Sequence, residues 1–600
     1  MTGAEYIAEF LARVGSNHVF VLTGGACAFM IDAVERHPAL AYTCFHHEQS
    51  AAMAADAVWR TTGKVGVTMA TSGPGATNLI TGIACSYFDS IPSLHITGQV
   101  NQREGSAYHG ANVRQSGFQE TKIVDMVKPI TKYAVMVRTV EDLRQELARA
   151  YSIAASGRKG PVLVDVPMDI QQMQIPGDIM LPSELPAAAE SAEAVTAALT
   201  ATLSKARRPV VLWGAGIGLA GVENAVIDWL TASELPFVSS WAGLTYFDNA
   251  HPNFLGQIGV YGNRGANFAL QNADVVIVLG SRLDNRQRSG NPRSFATGAK
   301  VHVVDVDVEE LRKYRSDGYF TSHLDFRDLP HVLENVRPPK IDEAWRSYVV
   351  EMKDRYFGKE QSTSALRLNA LSPYDVIRRI NELIAEDAIV VGDTGATVCW
   401  LHQVFKVKRH TLFTAGGNSP MGYALPAAIG AKVVAPQRQV IAVSGDGGFH
   451  LNIHELQTIK HHNLPVAMVV MNNASYGIIK QFQDSYCNSR YTASRDGFSL
   501  PDFGHLAAAY GIGYARVESV EQITPDLFQG NGPILLDVLL SEHTLIEPKL
   551  EMGRPINDQY PYLSATEYSR GNRFVDYPRS AEFLKVLDDS DPGRDRNAGA

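Results

Sequence analysis

The stretch "GDGGFHLNIHELQTIKHHNLPVAMVVMNNASYG", residues 445–477, opens with an aspartate held between glycines and closes with two asparagines after an apolar run. Its approach, "QVIAVSGDGG", reads as a strand entering a glycine turn, and the N–H groups of such a turn favour a diphosphate. "LPVAMVVMNN" reads as a second buried strand. Twenty-five residues lie between Asp446 and Asn472. That leaves room for a helix and a strand, so a parallel arrangement predicts both residues at one carboxyl edge of a sheet. A magnesium ion takes oxygen ligands in an octahedron, few from protein and the rest from phosphate and water. Asp446 and an asparagine amide oxygen could supply two of them. Taken alone, the pattern is equally that of a turn aspartate and a strand-ending asparagine pair.

The rest of the chain sets the frame. Six hundred residues are too many for one core, and the punctuation predicts three domains. Hydrophobic residues make up 45%, charged ones 20%, with 50 glycines, as expected for an α/β protein with large parallel sheets. The formal charge of -9 comes without a basic block, which argues against a nucleic-acid partner or an anionic membrane and for small molecules. Five scattered cysteines without CxxC spacing indicate neither zinc nor disulfides and suit a reducing cytoplasm. "MTGAEYIAEFLARVG" carries acidic residues and helical apolar spacing where a signal peptide would have a basic head, so a first helix is expected. Strand runs such as "HVFVLTGG" and "GPVLVDVP" build a first domain, 1–180, and "LPSELPAAAESAEA" (181–194) a linker. "RPVVLWGAGIG", "ADVVIVLGSR" and "AKVHVVDVD" build a central Rossmann-like domain, 195–340. A charged helical connector precedes a third domain, 366–555, with "AIVVGDTG", "RQVIAVSGDGG", "LPVAMVVMNN" and "GPILLDV". A tail, 556–600, ends in "DSDPGRDRNAGA", expected to be disordered.

GDG, some twenty-five residues and NN together resemble the signature of thiamine-diphosphate (ThDP) enzymes. "HHEQSAAMAADAVWR" (46–60), "ATSGPGATNL" (70–79), "GFQETKIVDMVKPITKY" (117–133), "GSRLDNR" (280–286) and "MGYALPAAIGA" (421–431) extend this to a similarity with acetolactate synthase catalytic subunits over roughly residues 1–550. The resemblance implies three α/β domains with parallel sheets flanked by helices: pyrimidine-binding, central and diphosphate-binding. It implies that Asp446, Asn473 and the Ser475 carbonyl bind Mg2+, with Asn472 structural. The diphosphate region would include Gly395, Ala396, Thr397, Gly445, Gly447, Gly448, Tyr476 and Gly477. Met421 would prop ThDP into its bent shape. Glu48 would face the pyrimidine ring, with Pro74 and Asn78 beside it. A carboxyl there stabilises the tautomer that removes the very weakly acidic thiazolium proton, so the cofactor serves as its own base. Gly25, Phe118 and Gln119 match positions near the reacting carbons. His46, His47, His461 and His462 lack metal spacing and are expected to be structural or solvated. Because the family divides Glu48 and the GDG site between subunits, a homodimer at minimum is implied, with a tetramer open.

"VVLWGAGIG" places Gly214, Ala215 and Gly216 after a strand, a weak dinucleotide signal alone. The match of Gly280, Arg282, Asp284, Arg286 and Asp305 to flavin-holding positions implies FAD. Arg286 also matches the arginine that meets the acceptor's carboxylate, where a fork of donors suits a 2-oxoacid. Ile478 and Phe482 would border the acceptor.

Several positions depart from the family. Phe482 replaces a selecting tryptophan, Lys480 a usual methionine, and Ala396-Thr397 a Gln-His pair. The 101–115 segment is long and polar, and "EPKLEMGRPINDQYPYL" replaces a glycine-rich ending. Both segments are expected to cap the site entrance, and Lys480 to offer the acceptor a donor. The implied reaction is pyruvate decarboxylation followed by transfer of the two-carbon carbanion to a carbonyl acceptor. A bulkier acceptor such as a keto-sugar nucleotide, an FAD-dependent pyruvate oxidase, and a non-catalytic ThDP-binding relative stand as alternatives.

Overall fold

Residues 1–110, 113–185 and 189–577 are described in the structure, a computed structural model. The amphipathic start folds as the expected helix, Gly3–Arg13, closed by a capping box between Thr2 and Glu5. Three six-stranded sheets follow. The first contains β1 (His18–Leu22), β2 (Ala41–Cys44), β3 (Gly66–Ala70), β4 (Ser93–Gln99), β5 (Tyr133–Met136) and β6 (Val162–Pro167). The central sheet contains β7 (Pro209–Trp213), β8 (Phe237–Ser239), β9 (Phe254–Gln257), β10 (Val275–Leu279), β11 (Lys300–Asp305) and β12 (Phe320–His323). The third contains β13 (Ile389–Gly392), β14 (Thr411–Phe413), β15 (Val440–Gly445), β16 (Val466–Asn472), β17 (Gly513–Val517) and β18 (Ile534–Leu539).

Neighbouring strands of the third sheet pair in parallel. Helices cover both faces of such a sheet, which explains why β16 is buried along its length up to Asn472. The outer sheets have the same order, β2-β1-β3-β4-β6-β5 and β14-β13-β15-β16-β18-β17. The central sheet runs β12-β11-β10-β7-β8-β9, the dinucleotide-binding order with its switch between β7 and β10. The outer domains meet through the helices Glu48–Thr62 and Ala424–Val434. Gly430 permits this crossing, because a Cβ there would lie 2.3 Å from the Ala54 carbonyl oxygen.

The central domain reaches beyond the expected limit of 340. Trp345, Tyr348 and Met352 of the helix Glu343–Tyr356 are buried in its core, so the connector's apolar face belongs to this domain. The tail from 556 is likewise part of it as far as 577: Ile556 and Tyr568 join the same core, and the Tyr348 hydroxyl donates to the Gly571 carbonyl at 2.5 Å. The final "DSDPGRDRNAGA" lies outside the described residues.

Candidate active site

The third sheet delivers its expected residues to one carboxyl edge. Gly445 ends β15 and Asp446 begins the helix Asp446–Leu451, while Asn472 ends β16 and Gly477 begins the helix Gly477–Tyr486. Asp446 is buried and accepts the N–H groups of Gly447 at 2.6 Å and Asn473 at 3.0 Å. Burial raises its pKa to about 6, against the lowering effect of these bonds. Among the described residues no Lys, Arg or His is paired with it. A buried carboxylate without a counter-charge, beside the buried Asn473 and Ser475, is a donor set of oxygen type that suits a hard cation. Asn472 turns away, donating to Asp537 at 2.8 Å and accepting the Ala474 N–H at 3.2 Å.

The surrounding glycines bring the other residues close. A Cβ on Gly445 would lie 3.2 Å from the Thr397 hydroxyl oxygen, one on Gly477 3.7 Å from the Ala396 Cβ, and one on Gly395 3.8 Å from Ile478. Gly447 leaves room for the Tyr476 ring, which an added Cβ would meet at 2.3 Å. Gly422, at φ +86°, holds the turn after Met421 against Gly448 and Asn452. Asp393 fixes this turn. Its buried carboxylate accepts the N–H groups of Thr394, Gly422 and Ala424 at 2.8, 3.0 and 3.1 Å. Burial nevertheless keeps its pKa raised.

The first sheet builds a second cluster. Glu48 starts its helix behind His47, whose Nδ1 accepts the Gln49 N–H at 3.1 Å, so His47 is a cap. The Glu48 carboxylate is buried, accepts from Asn78 at 2.9 Å, and would lie 3.1 Å from a Cβ on Gly75. Pro74 opens the short helix carrying Asn78. Gln119, at φ +62°, approaches Gly73, and Phe118 is 84% exposed. Gly25 stands before open space. His46 contacts Thr458 at 3.1 Å, whereas His461 and His462 are exposed.

A cavity of about 500 Å³ opens between the three domains, lined by Ala215, Gly216, Gly280, Arg282, Asp284, Arg286 and Asp305. The cradle fits an extended dinucleotide. Gly216 and Gly280 (φ +61°) pack backbone to backbone, a Cβ on Gly216 meeting the Gly280 Cα at 2.8 Å, and Gly214 is equally crowded against Gly280. Buried Asp305 ends β11, its pKa raised by burial. Arg282 donates to the Phe88 carbonyl at 2.8 Å, tying the central to the first domain. The Arg286 guanidinium lies over the Trp241 and Tyr261 rings at 5.7 and 5.9 Å.

Two expectations need correction. Lys480 is buried on the side of its helix away from Ile478 and Phe482, and donates to the Glu542 carbonyl at 2.7 Å, so it is no donor for an acceptor. The residues from 547 onward form a strap rather than a simple cap: Pro548 accepts from Gln403, Leu550 donates to Val260, and Met552 donates to the Tyr486 hydroxyl. The 101–115 segment is gathered by Glu120, which accepts from Ser106, Ser116 and Gly117; residues 111 and 112 lie outside the described residues. Asp393 and Glu120 were missed by sequence reasoning, although "VVGDTG" repeats the strand, glycine and aspartate pattern of "AVSGDGG". Asp56 was missed too. It accepts from Ser86 and Tyr423 and pairs with buried Arg60, locking the first domain to the Met421 turn.

Residues 1–126 match the thiamine pyrophosphate enzyme N-terminal TPP binding domain, 196–320 the central domain, and 393–538 the C-terminal TPP binding domain. The chain is 33% identical to the acetolactate synthase isozyme 2 large subunit of Escherichia coli K12, over 94% of this chain and 100% of that protein. It is 33% identical to the acetolactate synthase large subunit of Lactococcus lactis, covering 92% and 95% respectively. With that of Parasynechococcus marenigrum the identity is 34%, covering 92% and 90%.

Proposed function

This chain belongs to the ThDP-dependent enzymes of acetolactate synthase type, and on that premise we propose that it joins a two-carbon unit from pyruvate to a 2-oxoacid acceptor. Pyruvate loses CO2, the remaining carbon pair attacks the acceptor's carbonyl carbon, and that carbonyl oxygen takes up a proton. Nothing is oxidised overall. When bound, ThDP supplies the electron sink for the carbanion.

The chain's own residues have separate tasks. Glu48, oriented by Asn78, would face the pyrimidine ring and exchange a proton with it. Asp446, Asn473 and the Ser475 carbonyl would hold Mg2+, and the turn at Gly395–Thr397 would face the diphosphate. Met421 would support the cofactor's bend, with Asp393 steadying its turn. Gly25, Phe118 and Gln119 would border the reacting carbons, and Arg286 would receive the acceptor's carboxylate. The central cavity would hold FAD, without a redox step in the reaction. Two chains would be needed to complete a site. Among the described residues no helix is long and apolar enough to cross a membrane.

The observation carrying this reading is the pair of buried carboxylates, Glu48 and Asp446, each at the loop edge of a separate parallel sheet. Its test is incubation of purified protein with ThDP, Mg2+, pyruvate and a panel of acceptors, with products identified by mass spectrometry. CO2 release with carbon-carbon products and no oxygen uptake is expected, from a yellow protein. Stoichiometric oxygen uptake would overturn it. A flavin-dependent pyruvate oxidase finds no support among the relatives named above. The larger keto-sugar nucleotide acceptor remains a second reading because Phe482, a smaller ring than tryptophan, is 41% exposed.

A further inference from the structure

Three arginines stand on the segment after β10, and they are held differently. Arg282 donates to the Phe88 carbonyl at 2.8 Å and pairs with Asp284 at 3.6 Å. Arg288 pairs with Asp317 at 2.6 Å and donates to the Leu283 carbonyl at 2.7 Å. Arg286, between them, is exposed and lines the central cavity. Among the described residues no carboxylate is paired with its guanidinium. Asp284, two residues away, is occupied by Arg282 and by the N–H groups of Arg286 and Gln287, at 3.0 and 3.1 Å. The guanidinium rests instead on two ring faces, with the Trp241 centroid at 5.7 Å and the Tyr261 centroid at 5.9 Å.

Both rings are themselves fixed, and by the third domain. They lie 5.9 Å apart, and the Trp241 ring stacks on His402 at 5.4 Å with an interplanar angle of 25°. His402 is buried, and its Nδ1 donates to the Val398 carbonyl at 3.0 Å. Burial lowers its pKa to about 4, so near neutral pH it sets no second positive charge beside Arg286. The next residue, Gln403, donates to the Tyr261 carbonyl at 3.1 Å, as Gln257 does at 3.2 Å. The Arg286 backbone is tied to the same loop, its carbonyl accepting the Val260 N–H at 2.8 Å. Gly259, at φ +111°, permits this approach, since a Cβ there would lie 2.2 Å from that oxygen. The helix Ala396–Val404 thus steadies the rings, and the rings hold the guanidinium.

A ring face attracts a cation through its quadrupole but has no oxygen to accept its N–H groups. A carboxylate would fix the same guanidinium only by occupying the fork of donors that an anionic ligand needs. We propose that Trp241 and Tyr261 are positioning residues, which hold Arg286 at the cavity wall while leaving its charge and donors free for the acceptor's carboxylate. This rests on the proposed carboligase function and deepens it. The three arginines of the segment then have separate tasks: Arg282 and Arg288 fasten it, and Arg286 stays open for an anion.

The experiment measures the KM for 2-oxobutyrate at a fixed pyruvate concentration, with ThDP, Mg2+ and saturating FAD. Alongside it, CO2 release is followed in a single turnover with enzyme in excess over pyruvate. Trp241→Leu should raise that KM about tenfold while leaving single-turnover CO2 release within about twofold of wild type. Trp241→Phe keeps a ring face and should stay within about threefold of the wild-type KM. In an Arg286→Gln background Trp241→Leu should add nothing, because the ring then has no cation to hold. An unchanged KM in Trp241→Leu, an equal rise in the Arg286→Gln background, or a Phe variant as weak as the Leu variant overturns the positioning role. Absence of CO2 release by wild type would instead overturn the carboligase function. In that case, calorimetric titration of ThDP-loaded protein with 2-oxobutyrate decides the part played by the rings. Binding at least about fivefold weaker in Trp241→Leu supports it, and equal binding, or none by wild type, overturns it. If circular dichroism shows Trp241→Leu to be misfolded, Tyr261→Leu takes its place in the same comparisons.

Discussion

In the first domain the connection after the second strand leads into a helix that begins with Glu48; in the third, the equivalent connection carries Met421 into the helix Ala424–Val434. These two helices pack on one another. After the third strand the first domain has Gly73-Pro74 and the third has Gly445-Asp446. After the fourth, one has Gln119 at φ +62° and the other Ala474 at φ +52°, beside Asn473. The correspondence continues inside the sheets. "GPVLVDVP" and "GPILLDVL" fill the sixth positions, and in each the aspartate accepts from an amide at the end of the fourth strand. Gln99 donates to Asp165 at 3.0 Å, and Asn472 donates to Asp537 at 2.8 Å. One topology therefore offers the same loop positions twice, and in the proposed function the residue placed at each decides whether that edge would handle a ring proton or a cation.

Four experiments bear on this division of labour, in descending order of effect. Glu48→Gln keeps the shape but cannot donate a proton to the pyrimidine ring, so kcat should fall by about 100- to 10,000-fold while ThDP is retained. Exchange of the thiazolium C2 proton, followed by NMR, is the check; a near-normal rate would remove Glu48 from proton handling. Asp446→Ala should act on retention instead. The affinity for ThDP in the presence of Mg2+ should drop by at least about 100-fold, more than loss of an outer partner costs. Fluorescence titration after chelator treatment measures this, and unchanged affinity would place the cation elsewhere.

Asn472→Ala probes a residue proposed to support the cation site without joining it. Its loss frees the Asp537 and Ala474 contacts, and metal affinity should weaken by about 10-fold. An effect as large as that of Asp446→Ala would make Asn472 a ligand. In the first domain Asp165, the counterpart of Asp537, predicts a smaller, pH-dependent effect. Burial raises the Asp165 pKa to about 7, opposed by its bonds from Thr97 and Gln99. Between the unfolded carboxylate's value near 4 and about 7, the native state holds a proton that the unfolded chain has lost. Stability from this group therefore falls as pH rises through that window. Asp165→Asn should remove that dependence, so urea unfolding of variant and wild type should differ by about 2 to 3 kcal/mol more in the variant's favour at pH 8 than at pH 5. A constant difference would mean that Asp165 does not titrate there.

Much of the candidate site was legible because its residues lie at strand ends marked by glycine. Asp446, Asn473, Gly395 and Gly216 each follow an apolar run, and a parallel sheet with helical crossovers must deliver such positions to one edge. Asp393 and Asp537 carried the same local signals but were passed over, since their partners lie on other strands or turns. Lys480 shows the opposite failure. Helical spacing separates it from Ile478 and Phe482, and its carbonyl partner Glu542 is 62 residues away.

By itself, the sequence determined the three-domain α/β plan, the buried strands and the residues at their glycine turns, because hydrophobic periodicity and backbone freedom are local properties. Tertiary structure decided the rest. It made the segment after 547 a strap and carried the helix Glu343–Tyr356 and residues 556–577 into the central core. These outcomes depend on which distant groups compete for the same hydrogen bonds, charges and apolar surface, and that competition is settled only when the domains pack.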